Sequence, residues 1–142
     1  MMIRLTCVLL MGLSVLLSSC ASEVDSSEAK KIVTQLLTDL KNENYDALDS
    51  YYTGSSNQSE PLQAKTEKYI RLQDTTGPIE SFEFISEESK YDEASGYNQL
   101  TLIYKVACSR VTLKQTFILV KDEGKTGIIF QNTENWPDQP SN

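Results

Sequence analysis

Histidine is absent from all 142 residues of this chain. Its absence removes the usual general base at neutral pH and the commonest metal ligand. Any acid–base chemistry must then rest on tyrosine, lysine and carboxylates. Positive charge is also scarce: 13 Lys and Arg face 20 Asp and Glu, for a net charge of −7. A surface this acidic argues against nucleic acid as a partner and against direct adhesion to anionic headgroups. No apolar run is long enough to span a bilayer, which takes about 20 residues. The longest, Leu5 to Leu17, is interrupted by Thr6, Gly12 and Ser14. No C-x-x-C pair, EF-hand loop pattern or internal repeat is present, and no cofactor is expected.

What the N-terminus does contain is MMIRLTCVLLMGLSVLLSSC. Arg4 followed by a short apolar core has the form of a secretory signal. The core ends in Leu17-Ser18-Ser19-Cys20, which resembles the lipobox of bacterial lipoproteins. The resemblance implies cleavage between Ser19 and Cys20, a diacylglycerol on the Cys20 sulfur, and often an acyl group, such as palmitate, on its new amine. Each buried methylene contributes about 0.8 kcal/mol, so two or three chains hold an otherwise water-soluble domain firmly at a membrane. Ala21 stands where inner-membrane lipoproteins often carry Asp, so the resemblance favours the outer membrane, facing the periplasm, in a Gram-negative cell. Loss of Arg4 with the leader makes the remaining chain one unit more negative. Cys7 departs with the leader and Cys20 is consumed by lipid. Cys108 is then alone, with no partner for an intramolecular disulfide.

The expected organisation is a signal peptide over 1–19, a lipidated cysteine and tether over 20–27, one domain over 28–133 and a flexible tail over 134–142. Asp25 with Glu28 has the spacing of a helix cap. Ala29, Ile32, Val33, Leu36, Leu37 and Leu40 then recur at helical spacing to about Lys41. Asn44 is expected to cap a second helix carrying Tyr45, Leu48, Tyr51 and Tyr52 and closed by Gly54. The segment GSSNQS is expected to be a loop. Pro61 and Gly77-Pro78 bracket a third helix with Leu62, Tyr69, Ile70 and Leu72 facing inward. From Ile79 the period changes to two. IESFEFIS, YNQLTLIYKVACS, VTLKQTFILV and GIIFQN read as four strands, separated by turn signals such as DEASG and DEGK. Short connections imply antiparallel neighbours. The sum is an α+β domain: three N-terminal helices packed on a curved four-stranded antiparallel meander. Ile103, Ile118 and Val120 fall among polar residues on its second face.

The run Asn42 to Tyr52, NENYDALDSYY, resembles the early signature of NTF2-like (cystatin-like, cone-shaped) domains. The helix-then-meander order over 25–133 is similar to small NTF2-like lipoproteins of bacteria. One departure is that GSSNQS offers little from which to build the short strand that longer members insert, so a shallow pocket is expected rather than a deep closed cone. The resemblance implies a pocket near Tyr45, Tyr52, Tyr69 and Tyr104. Some enzymes on this fold pair a tyrosine with a carboxylate, and Asp46 or Asp49 would supply it here. Tyrosines on helix faces otherwise pack their rings and leave the hydroxyl at the rim.

Other patterns carry less. Ser27-Glu28-Ala29-Lys30, Ser55-Ser56-Asn57 and Lys125-Thr126-Gly127 match, in order, the signatures of penicillin-binding proteins and serine β-lactamases. Ser27 nevertheless falls at the start of a surface helix beside the tether, not on a buried one. Glu87, Glu88, Asp92 and Glu93 surround a hairpin turn without calcium-loop spacing. Cys108 sits mid-strand on the apolar face, as a small buried hydrophobe. Asn57-Gln58-Ser59 is a glycosylation sequon without consequence in most bacteria. The expected function is that of an envelope-anchored module binding a small ligand, another envelope protein or a second copy of itself. The alternatives are an enzyme with a tyrosine–carboxylate pair and a passive structural lipoprotein. An enzyme requires a pocket of about 300 Å3 or more with convergent polar groups.

Overall fold

Asp25 starts the first helix. Its backbone is extended, and its carboxylate accepts the Glu28 N–H at 2.7 Å, satisfying a donor that the first turn leaves without a partner. The computed structural model describes residues 22–137. The expected leader, the expected cleavage position at Ser19 and Cys20, the expected lipidation of Cys20 and the end of the tail lie outside them. Helix α1 spans Ser26–Lys41 and buries Ala29, Val33, Leu36, Leu37 and Leu40 along one face. That is the expected apolar face, with Ile32 packed at its edge.

The second expected helix does not form. Residues Leu48–Tyr51 make a single 3-10 turn, and Tyr52 is already extended. Two observations explain this. The Asn44 amide donates to Asp39 Oδ1 at 3.2 Å instead of capping a helix. Leu48 and Tyr51, both buried, are three residues apart, and a 3-10 turn places such residues directly in line. A four-residue helix α2, Ser55–Gln58, replaces the expected loop. Two long helices, rather than three, therefore precede the sheet.

Helix α3 spans Leu62–Thr76, with Pro61 at its N-cap and Gly77 at its C-cap. Gly77 has φ 80°, and a Cβ there would meet Ser109 Oγ at 1.9 Å, so glycine is required on both counts. The inward face is as expected at Leu62 and Tyr69, which pack on the core, and differs at Ile70. Ile70 is 41% exposed, whereas Lys65 and Thr76 are the buried residues of the helix.

Strands β1 (Ile79–Asp92), β2 (Tyr97–Cys108), β3 (Thr112–Asp122) and β4 (Lys125–Asn135) form one antiparallel meander in chain order. β1 runs six residues past Ser86 by pairing Ser86 through Asp92 with β2. β4 passes the expected domain end at 133, and the Trp136 N–H donates to the Thr112 carbonyl at 2.9 Å. Glu123 and Gly124, both at positive φ, close the β3–β4 hairpin as the twist of such hairpins demands.

Leu100, Leu102, Tyr104, Val106, Leu113, Phe117, Leu119 and Ile128 meet the buried face of α1 in one core. The Tyr104 ring stands edge-on between Phe84 and Phe117, at 5.7 and 6.0 Å between centroids. On the opposite face Ile103 and Ile118 are half-buried, but Val120 is buried. The register shift between Ile118 and Leu119 places its extra residue, Ile129, on β4, so β3 keeps its alternation and Val120, across from Gly127, is buried on the face opposite Leu119.

Candidate functional site

The interior of the cone is filled. Between α3 and the inner sheet face the remaining enclosed space is about 20 Å3, bordered by Leu40, Leu72, Cys108, Leu113 and Gln115. Open space lies instead at the sides of α3: a cleft of about 460 Å3 lies on one flank, by Tyr45, Asp74 and Arg110, and another of about 320 Å3 separates the other flank from β4. Lys65, Lys68, Tyr69 and Leu72 form the helical wall, Ile129 to Gln131 and Thr133 the strand wall, and Tyr52, Asn57 and Glu60 the end.

The extended backbone at Tyr52 builds this end. Tyr52 pairs in parallel with Ile128, and the Thr53 N–H donates to the Ile128 carbonyl at 3.0 Å. Gly127 permits the approach: a Cβ there would lie 2.8 Å from Thr53 Cβ. The Asn57 amide then bridges the Thr53 carbonyl at 2.7 Å and the Ile128 carbonyl at 3.2 Å.

Lys65 clamps the segment from below, 5% exposed. Its ammonium donates to Asp49 Oδ1 at 2.6 Å and to the carbonyls of Asn57 and Glu60 at 2.9 and 3.0 Å. All three donors are thereby used. The same charge stands 5.5 Å from the Tyr52 ring centre. Lys68 forms an ion pair with Glu60 at the mouth.

The Tyr52 and Tyr69 hydroxyls touch each other, and both reach Gln131 Oε1, at 3.0 and 2.6 Å. Gln131 Nε2 in turn donates to the buried Gln115 at 2.9 Å. Burial pushes the Tyr69 phenol up to about 12. Burial raises Tyr52 as well, reinforced by Tyr69 and the Glu60 charge. Both phenols are therefore neutral at physiological pH, with their hydrogen bonds directed at each other and at Gln131.

Of the four tyrosines expected near a pocket, Tyr52 and Tyr69 come together here. Tyr45 sits on the other flank of α3, its hydroxyl donating to Gln73 Oε1 at 3.0 Å. Tyr104 is a core ring, 2% exposed. Asp49 is held by Lys65, and Asp46 is exposed away from the cleft. The closest tyrosine–carboxylate pair is Tyr51 with Asp39, which pins the 3-10 turn to α1 and borders none of the cavities described here. Burial and the Asp39 hydrogen bond push the Tyr51 phenol up to about 12.

Elsewhere, Glu87 accepts from Ser26 at 2.5 Å and from Lys30 at 3.0 Å, and Asp92 accepts the Ser95 N–H within the hairpin turn. Among the described residues no group of three potential metal ligands gathers. Lys30 is engaged with Glu87, and Lys125 donates to the Tyr52 carbonyl at 3.1 Å, so neither lysine addresses Ser27. Cys108 is buried, and its burial raises the thiol. Glu60, Lys65, Lys68 and Gln131 are not singled out by the sequence, and Asn57 is noted there only in an S-x-N pattern and a glycosylation sequon. Their roles depend on contacts between distant segments, and only the Asn and Gln content of GSSNQS hinted at side-chain hydrogen bonding.

Helices layered on a curved antiparallel meander place the domain in the α+β class. The fold is similar to the crystal structure of an NTF2-like protein of unknown function from Pseudomonas putida KT2440, with a TM-score of 0.51 and 11% identity over 81% of this chain and 95% of that one. The fold is thus NTF2-like. No protein-family model matches the chain, and no curated protein does. Among the described residues no helix is long and apolar enough to cross a membrane.

Proposed function

We propose that the protein is a lipid-anchored envelope protein whose NTF2-like domain works by binding, with the cleft between α3 and β4 as its site. The observation that carries this reading is where the space lies. The cone is filled to about 20 Å3 while an open cleft of about 320 Å3 flanks it. Its size alone would suit an enzyme of the tyrosine–carboxylate kind. Its chemistry favours binding, because the phenols bond to Gln131 and the Glu60 carboxylate is paired with Lys68. Among the described residues, the hydrogen bonds of both hydroxyls go to each other and to Gln131 rather than to a carboxylate. A passive structural role leaves the cleft and the exposed Phe130 beside it without a purpose.

The anchor is supported by the lipobox resemblance at Leu17 to Cys20. A partner on the periplasmic face of the outer membrane, or a second copy, would meet the domain within reach of the short tether. Two measurements test the two halves. Blocking the lipoprotein signal peptidase with globomycin should make the precursor accumulate, and Cys20→Ser should release the protein in a carbonate wash; retention would remove the anchor. For the cleft, a fragment library read by amide chemical shifts should perturb Tyr69, Gln131 and Thr133 together. Shifts confined to another surface would move the site.

A further inference from the structure

The two edges of the sheet are treated differently. β1, at one edge, is interrupted by register shifts at Ile79/Ser81 and Phe84/Ser86 and carries Glu80, Glu83, Glu87, Glu88 and Lys90. Bulges and charges are the usual devices that stop an edge strand from pairing with other chains. β4, at the other edge, has one register shift, where Ile129 is the extra residue between the Ile118–Phe130 and Leu119–Ile128 pairs, but past it Phe130-Gln131-Asn132-Thr133 runs without a shift, a charge or a proline. Among the described residues, Tyr52 and Thr53 join its outer edge at Ile128, and the Asn57 amide donates to the carbonyls of Ile128 and Ile129 at 3.2 and 3.3 Å.

The hydrogen-bond alternation shows which groups of β4 face outward. Trp136 donates to Thr112, so the pairs in step with it, Glu134 with Lys114, Asn132 with Thr116 and Phe130 with Ile118, direct their N–H and C=O groups at β3. In an antiparallel ladder the residues between them point the other way. The main-chain groups of Gln131 and Thr133 therefore face the cleft. The Ile128 carbonyl, which accepts Thr53, marks the same open edge.

We propose that the cleft receives an extended peptide segment of a partner protein as a fifth strand, continuing along β4 from where Tyr52 and Thr53 leave it. The inference rests on the cleft being the binding site and names its occupant. Main-chain hydrogen bonds to Gln131 and Thr133 supply the docking, as in other cases of strand addition. Alternate side chains of the peptide meet Leu72 and Tyr69 beneath α3 on one face, and the 53%-exposed Phe130 on the other. The segment is therefore one with apolar or aromatic residues on both faces. A second copy of this chain does not suit the edge, because α3 flanks it, and a partner's β4 would bring its own α3 into the same space.

The test uses the full chain in detergent and a panel of capped peptides that carry Val, Ile or Phe at adjacent positions, and so on both strand faces, between solubilising Lys residues, read by amide hydrogen exchange. Bound peptide should slow exchange at Gln131 and Thr133 by about tenfold or more, while Phe130 and Asn132, already bonded to β3, stay as they were. The same peptides N-methylated at alternate residues should not do so. Thr133→Pro removes an outward N–H, which edge strands tolerate, so the variant should fold normally and lose about tenfold in peptide affinity. Asn132→Pro should instead unfold the edge. Strand addition is overturned if no peptide slows these amides at millimolar concentration, or if N-methylated peptides bind equally. Destabilisation by Thr133→Pro would overturn the register, and protection that appears with protein concentration alone would put a second copy in the cleft. If fragments shift the cleft amides while peptides do not, the binding site stands and its occupant is a small molecule. If neither does, the site itself falls.

Discussion

The two long helices lie against the same sheet and are held by different balances of apolar and polar contact. α1 is seated chiefly by Ala29, Val33, Leu36, Leu37 and Leu40, all buried, and its place is set mainly by apolar area removed from water. Asp39 is the one buried polar residue on it, bonded to Tyr51 and Asn44. α3 buries Lys65 and Thr76 and is seated by polar links: Lys65 to Asp49, Tyr69 to Gln131, Tyr45 to Gln73. The cleft of about 320 Å3 and the small space of about 20 Å3 at the inner sheet face both border α3. Fixed architecture and a less densely packed binding wall are thus divided between two helices. Hydrogen bonds net about 1 kcal/mol each and have directions, so a wall built on them keeps its geometry without filling its space.

The comparison breaks most visibly at α1. Leu36→Ala should cost about 2–5 kcal/mol in denaturant unfolding, because Leu36 is 0% exposed. Leu72→Ala on α3, at the cleft wall, should cost well under half as much. Equal losses would remove the distinction between the helices.

Lys65 ranks next. Lys65→Met keeps the apolar stem but strips the donor from Asp49 and from two carbonyls. A loss of about 1–3 kcal/mol is expected for groups left without their partner. The more specific readout is local: amide exchange should quicken across 49–60 while that of α1 holds. Uniform quickening would mean that Lys65 supports the whole fold.

This residue also shows where the sequence is readable. The α1 face follows from the spacing of six apolar residues and from Asp25 with Glu28, all within one segment. Four strands follow from period-two alternation and turn residues. Lys65 does not follow, since its partners come from the 49–60 segment and from tertiary placement. The second helix misreads for a related reason. Leu48 and Tyr51, three apart, suit an α-helix and a 3-10 turn equally, and the choice is made by Asn44 bonding to Asp39 and by Tyr52 joining Ile128. Tyr52 and Tyr69 could be named as candidates, whereas Gln131, which orients both, lies in a strand where glutamine is unremarkable.

Tyr69→Phe sharpens the comparison at a smaller scale, about 1 kcal/mol for one hydroxyl hydrogen bond at neutral pH. Its pH signature is more telling. The folded phenol sits at about 12 against an ordinary value of 10.0, so folding favours the protonated form. That contribution is complete below pH 10.0 and is lost as pH rises towards about 12. The wild type should therefore lose stability across this window more steeply than Tyr69→Phe. Parallel curves would show that Tyr69 titrates as it does in the unfolded chain.

The smallest effect belongs to the polar link at the start of α1. Ser26 and Lys30 both bond Glu87 on β1, and those bonds, first from Ser26 and then from Lys30, lower the Glu87 carboxyl below its usual range. A lowered carboxylate favours the fold above its ordinary value of 4.5 and loses that contribution as pH falls below it. Glu87 is open to water, where screening leaves such links weak. Glu87→Gln should therefore leave the neutral-pH unfolding midpoint where it is and flatten the acid limb slightly. A clear loss at neutral pH would mean that α1 depends on polar links as α3 does, and the contrast between the helices would have to be redrawn.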